Sequence, residues 1–375
     1  MENVYALYVY ITRLKLIIEE QNMLSVPTQY RIAALKPLLS AKPFILITDL
    51  EGPFLRGDTA MLAMSEYVQP LDRTAGDTRD YGAELYTETY NWYTEAIKNN
   101  GQGQEGGDIT FCLAPLLAMG VTNAQIQAIA HHSGVMDGAS ELIKFIHRHN
   151  GVIIGLTTAW ERYHRGVVAP LGFDDLFGTT FSLEVNEEAL SEALEGVRRF
   201  LDDSFALMRR ADLRALHERI ADFYQKELGL WEEYSIHPLG KFIKESEVIG
   251  DIGKREVAKA LKAVAGEGAV VVAMGDGLND VPMLAEPGWT VAINGPDAVR
   301  TAAIGAVTED MRAFIPFFSH LLENPAASYH EVVAKSNQHY SQPVFQVTAG
   351  NPSAAVLAQH AQMRQKLKQH YALIP

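Results

Sequence analysis

The chain alternates between short, unbroken apolar runs and longer stretches whose apolar residues recur at helical spacing. FILIT at 44–48, VIIGL at 152–156, AVVVAMG at 269–275 and TVAIN at 290–294 are of the first kind and predict buried strands. LFGTTFSLEV, residues 176–185, offers room for a further strand. Between the first two runs, MLAMSEYV, AELYTETYNWYTEAIKN and VTNAQIQAIAHH read as helices, and ASELIKFIHRHNG as a helix closed by Gly151. NNGQGQEGGD, residues 99–108, reads as a flexible glycine-rich loop, better as a solvent-exposed tip than as a hinge. Residues 187–234 are helical and heavily charged, which predicts a solvated helical face.

Buried strands alternating with helices imply an α/β fold with a parallel sheet covered on both faces. The expected organisation is an N-terminal helical extension over 1–42 and a core formed by 43–55 and 135–330. That core carries a helical insertion at about 187–234, a second helical block fills 56–134, and 331–375 is a polar tail with one helix. Val4–Ile11 is apolar but too short to span a bilayer, so no integral membrane segment is expected; the N-terminus reads as an amphipathic helix that packs on the body or on a partner.

The bulk numbers narrow the function. The 375 residues are 47% hydrophobic, enough for a sizeable core. Lys and Arg total 32 against 46 Asp and Glu, a formal charge of -14, which argues against a nucleic-acid binder. The one cysteine, Cys112, leaves no disulfide within the chain and fits a cytoplasmic location.

The chemistry-bearing residues sit at strand ends. Asp49 and Glu51 follow FILIT and, one residue apart, share a face of an extended chain; Asp49 can act as metal ligand, general base or nucleophile, and Glu51 as the second, proton-carrying carboxyl. Thr157 and Thr158 follow VIIGL, and GDGLND brings Asp276, Asn279 and Asp280 after AVVVAM. Lys254 opens the helix GKREVAKALKAV. In a parallel sheet such ends meet at one rim. Each piece alone is weak: a Gly–Asp turn, a strand end, a surface lysine. Their order and contexts together give the parts phosphoryl transfer needs: oxygen ligands of the kind Mg²⁺ prefers, a fixed ammonium, and hydroxyl and amide donors.

The ordered set ILITDLEG, VIIGLTT, GKREVAKAL and VVVAMGDGLND resembles the four motifs of the haloacid dehalogenase (HAD) superfamily, phosphoserine phosphatase-like branch, over roughly residues 43–310. DLEGP and APLLAMGVTNAQI look nearer still to uncharacterised archaeal proteins of that superfamily, some described as energy-converting hydrogenase accessory subunits. The resemblance implies a HAD-like Rossmannoid parallel sheet with a mainly helical cap of the first type at 56–134. It implies Asp49 as nucleophile and Mg²⁺ ligand, with the Glu51 carbonyl and Asp276 completing the protein's share of the metal shell. Asp280 either supports that shell or orients Lys254. Thr157, Thr158, Lys254 and Asn279 would hold the phosphoryl oxygens. Glu51 departs from the aspartate usual in these phosphatases; an extra methylene moves the proton donor by about 1 Å, and a shift of that order can cost about 100-fold in rate. Arg56, His131 and His132 are cap residues that could reach a substrate, although a lone His or Arg is more often structural or at the surface.

The expectation is a cytoplasmic, Mg²⁺-dependent hydrolase of a small phosphorylated metabolite. The rival, supported by Glu51, the 187–234 insertion and the terminal extensions, is a catalytically weak accessory protein. It would bind a protein partner, or a second copy of the chain, through the N-terminal helix or the tail.

Overall fold

The computed structural model describes residues 28–101, 103–180, 183, 187–230, 237–244, 246–286 and 288–371. The expected amphipathic N-terminal helix lies outside them. In chain order the elements are α1 (Thr28–Leu39), β1 (Phe44–Thr48), α2 (Thr59–Tyr67), α3 (Tyr81–Tyr93), α4 (Leu113–Ala118), α5 (Asn123–His132), α6 (Ala139–Arg148), β2 (Val152–Trp160), α7 (Glu161–Leu171), β3 (Asp175–Thr179), α8 (Glu187–Arg209), α9 (Leu213–Ala221), α10 (Pro238–Lys244), α11 (Asp251–Val264), β4 (Val270–Gly275), α12 (Val281–Leu284), β5 (Trp289–Ile293), β6 (Ile304–Ala306), α13 (Phe314–Glu323), α14 (Tyr329–Asn337), β7 (Phe345–Val347) and α15 (Ala354–Tyr371).

The seven strands form one sheet in the order β3-β2-β1-β4-β5-β6-β7, parallel except for β7, which pairs antiparallel with β6. The fold is α/β, a mostly parallel sheet with helices on both faces, as the alternation of apolar runs and helices leads one to expect. Side chains alternate across β1: Phe44 and Leu46 enter one apolar core with Leu142 and Ile146 of α6 and Phe314 and Phe318 of α13. Ile45 and Ile47 enter the other, with Ile32 of α1, Val257 and Leu261 of α11 and Met283 of α12. A strand buried on both faces has no room for polar residues, which is why FILIT reads as an unbroken apolar run. The chain builds β2 and β3 on one side of β1 and returns to lay β4 on the other, so β1 borders the switch point where ligands bind in such sheets.

Three readings change. The charged helices of 187–234 are not simply a solvated face. Leu194, Val197, Phe200, Leu201, Phe205 and Met208 of α8 form a buried stripe at helical spacing. Beneath it, Phe200 stacks on Phe223 with centroids 4.1 Å apart, and Tyr224 meets Phe111 at 4.6 Å and Trp92 at 5.9 Å. The insertion and the 56–134 helices thus share an aromatic core, each buried Phe contributing about 2–3 kcal/mol. The second half of the glycine-rich loop is a clasp rather than an exposed tip. The Glu105 amide donates to Asp251 Oδ1, and the Asp251 amide donates to the Glu105 carbonyl, both at 3.1 Å, at the start of α11. Residues 331–371 hold the expected helix, α15, but are more than a polar tail: β7 extends the sheet and α15 packs its His360 against Gly305 of β6.

Candidate active site

Asp49 follows β1 directly, and its amide adds one more rung to the ladder by donating to the Met274 carbonyl at 2.8 Å. Its Oδ1 accepts from the Leu50 amide at 2.8 Å. On the next strand, the chain turns sharply after Gly275. The Asp276 and Gly277 amides both donate to Asp280 Oδ2 at 2.9 Å. A Cβ on Gly275 would lie 2.4 Å from the Asp280 carboxyl carbon, so only glycine permits this turn. Lys254 enters from the first turn of α11, wholly buried, with Nζ 2.8 Å from both Asp49 Oδ1 and Asp280 Oδ1.

Asp49, Asp276 and Asp280 each offer a carboxylate oxygen within 4.8 Å of the others. Lys254 is paired with Asp49 and Asp280, and the Arg364 guanidinium lies 3.6 Å from Asp276 Oδ2. Burial, with the charges of Asp280 and Asp276, pushes the Asp49 carboxyl well above its usual range despite the attraction of Lys254. Burial works against the Lys254 charge, but Asp280 and Asp49 outweigh it and raise its pKa. The cluster is short of positive charge and offers hard oxygen donors, the chemistry a bound Mg²⁺ satisfies. The turn after Glu51 comes close: at Gly52, with φ +102°, a Cβ would lie 2.5 Å from the Asp276 carboxylate. Asp280 differs from the other two acids, since Lys254 and the two amides engage both its oxygens.

Asp49, Glu51, Arg56, Thr157, Asn279 and Arg364 line one cavity of about 240 Å³. Thr157 and Thr158 lie where the register of β2 against β3 shifts, between Leu156 and Trp160, a bulge of the kind that re-aims side chains at a rim. Thr157 Oγ1 accepts from the Ala159 amide at 3.1 Å, which leaves its proton for a ligand. The Thr158 proton goes to the Ile249 carbonyl at 3.2 Å, and its oxygen accepts from Asn279 Nδ2 at 2.8 Å. Thr158 and Asn279 therefore bond to each other, and Thr157 is the better donor to a ligand. Arg56 pairs with Asp137 at 2.9 Å. His131 and His132 are exposed and do not line the cavity.

Two residues that sequence reasoning passes over belong to the site. His164 of α7 is wholly buried, with Nε2 3.1 Å from Glu51 Oε1 and 3.0 Å from Thr59 Oγ1. Burial works to raise the Glu51 pKa, but the hydrogen bond and charge of His164 and the Thr59 donors outweigh it and hold Glu51 below the usual range. Conversely, burial works to lower the His164 pKa, and Glu51 raises it on balance. Arg364 of α15 donates from Nη1 to the Asp276 carbonyl at 3.1 Å, and Leu367 beside it closes the same wall. Neither residue carries a local signal: His164 lies within an ordinary helical stretch, and Arg364 reaches the site only because α15 docks on β6.

No family model and no curated protein matches the chain. Among solved structures, gene product AF1437 from Archaeoglobus fulgidus is similar with a TM-score of 0.68 at 17% identity, covering 88% of this chain and 99% of that one. A substrate-bound phosphoserine phosphatase has a TM-score of 0.45 at 15% identity, covering 73% of this chain and 97% of that one. A probable phosphoserine phosphatase from Vibrio cholerae has a TM-score of 0.45 at 13% identity, covering 81% and 76%. The likeness is one of fold, and the Archaeoglobus protein shares it over nearly its whole length.

Proposed function

We propose that the protein is a Mg²⁺-dependent phosphomonoester hydrolase that acts on a small phosphorylated metabolite through an aspartyl-phosphate on Asp49. The observation that carries this reading is the placement of Lys254 Nζ 2.8 Å from both Asp49 and Asp280, with Asp276 beside them, at the switch point of the sheet. Lys254 and the Leu50 amide both engage Asp49 Oδ1, so Oδ2 is the oxygen left to form the bond to phosphorus. Lys254 and Thr157 hold the phosphoryl oxygens, as a positioned charge and a hydroxyl donor do in phosphoryl transfer. His164 and Thr59 favour the ionised form of Glu51, so Glu51 first takes up a proton from solvent in the cavity; as the ester P–O bond breaks, it gives that proton to the leaving alcohol oxygen. Glu51 then takes a proton from water as that water attacks phosphorus, which releases phosphate and restores the Asp49 carboxylate. Bound through Asp49, Asp276 and the 51–52 turn, Mg²⁺ would supply charge neutralisation for the phosphate. Asp280 serves in this reading to restrain Lys254 rather than to ligate the metal.

The test is phosphate release from a generic aryl phosphate, with Mg²⁺ and with EDTA, by wild type and Asp49→Asn. Release that requires both Mg²⁺ and Asp49 supports the reading, and equal rates in all four conditions overturn it.

A further inference from the structure

Glu51 is held by one of its two oxygens. Oε1 accepts from the Thr59 amide at 2.8 Å and meets His164 Nε2 at 3.1 Å, while Oε2 makes no hydrogen bond among the described residues and Glu51 lines the cavity. The ring of His164 has little freedom. Its Nδ1–H donates to the Trp160 carbonyl at 3.0 Å, which aims Nε2 at Glu51. Thr59 Oγ1 contacts the same Nε2 at 3.0 Å and lies 3.3 Å from Ser133 Oγ, so the chain of contacts runs from the core helix α7 into the 56–134 block at α2 and the end of α5. Asp58, the N-cap of α2, accepts from the Met61 amide at 2.9 Å, and Glu51 takes the first helical amide, that of Thr59; the helix start thus accounts for the Thr59 bond but not for the contact with His164.

We propose that His164 is a positioning residue for Glu51. With Thr59 it pins Oε1, so that Oε2 is presented to the leaving oxygen. The longer glutamate side chain is what reaches this clamp. An aspartate would fall short by about one carbon–carbon bond, roughly 1.5 Å, and lose both partners. On this view the glutamate is matched to its histidine and is no handicap. The proposal rests on the phosphatase reading above.

The test compares two esters: 4-nitrophenyl phosphate, whose weakly basic leaving group needs little protonation, and glycerol 3-phosphate, whose alkoxide needs a proton. His164→Asn keeps an amide near the Nδ1 position but cannot reach Glu51, whereas His164→Gln places one near Nε2. For His164→Asn and Glu51→Asp the ratio of glycerol ester kcat to nitrophenyl ester kcat should fall by about 100-fold, the cost of a catalytic group misplaced by about 1 Å. KM for the two esters should move together. His164→Gln should recover most of the ratio. A role confined to folding would slow both esters alike and leave the ratio in place. Equal losses on both esters, or a Glu51→Asp variant faster than wild type on glycerol 3-phosphate, overturns the proposal and leaves the phosphatase reading standing. A wild type that hydrolyses neither ester overturns both. Should His164→Asn not fold, Glu51→Asp and His164→Gln decide the matter by the same ratio.

Discussion

Arg364 Nη1 donates to the Asp276 carbonyl at 3.1 Å, and Nη2 lies 3.6 Å from Asp276 Oδ2. A guanidinium from the C-terminal helix thus stands beside a carboxylate of the acidic cluster. It repels a divalent cation held there, an effect that solvent screening at this partly exposed guanidinium holds to about 1 kcal/mol. Arg364→Gln should therefore tighten Mg²⁺ binding about threefold to fivefold. Calorimetric titration with Mg²⁺ alone checks this, and weaker or unchanged binding contradicts it.

Lys254 is wholly buried between two carboxylates. Lys254→Met removes the one ammonium that, among the described residues, pairs with both carboxylates. Breaking a buried pair in this way costs about 3–5 kcal/mol. Urea unfolding in EDTA should show a loss of that order, with part of it regained when Mg²⁺ is added.

Asp49 behaves in the opposite sense. Its pKa is raised by burial and by Asp280 and Asp276, so its ionised form disfavours the folded state at neutral pH. In EDTA at pH 7, Asp49→Asn should melt at a higher temperature than wild type. In saturating Mg²⁺ the gap should narrow or reverse, because wild type gains more from the ion. Thermal melts with and without the metal check both signs.

His360 of α15 is buried against β6, and neither ring nitrogen finds a hydrogen-bond partner among the described residues. Burial lowers its pKa to about 4. The folded state prefers the neutral ring, so this contribution to stability is complete above the unfolded value of about 6.5 and is lost as the pH falls from there toward 4. Wild type should lose roughly 2 kcal/mol relative to His360→Leu between about pH 7.5 and pH 5. Urea midpoints at the two pH values check it.

The legible parts of the molecule were those whose physics is local. FILIT is β1 to the residue, because a strand buried on both faces leaves an apolar run with sharp ends. β2 runs on to Trp160, past the expected end at 156, because the hydroxyls of Thr157 and Thr158 enter the bulge rather than stop the strand. β7 is only FQV, three residues with no pattern of their own, and exists because β6 offers an edge. The apolar stripe of α8 was present in the text but masked by the charges between its members.

The site divides in the same way. Asp49 and Asp276 could be found because each follows a strand of a parallel sheet, and Thr157 because it closes the apolar run of β2; such ends meet at one rim. Lys254 could be found because it opens the helix before one of those strands. His164 and Arg364 come from faces of helices whose docking no local pattern encodes. The reason for glutamate at position 51 could not be read until His164 and Thr59 were seen around it.

The central claim is that Asp49 forms a covalent bond to phosphorus. The direct measurement is to mix the protein with Mg²⁺ and a phosphomonoester, quench in acid within the first turnover, and analyse the peptides by mass spectrometry. The account predicts a phosphoryl group on Asp49 in wild type and none in Asp49→Asn. Phosphate release with no phosphorylated Asp49, or with the label on another residue, would contradict it.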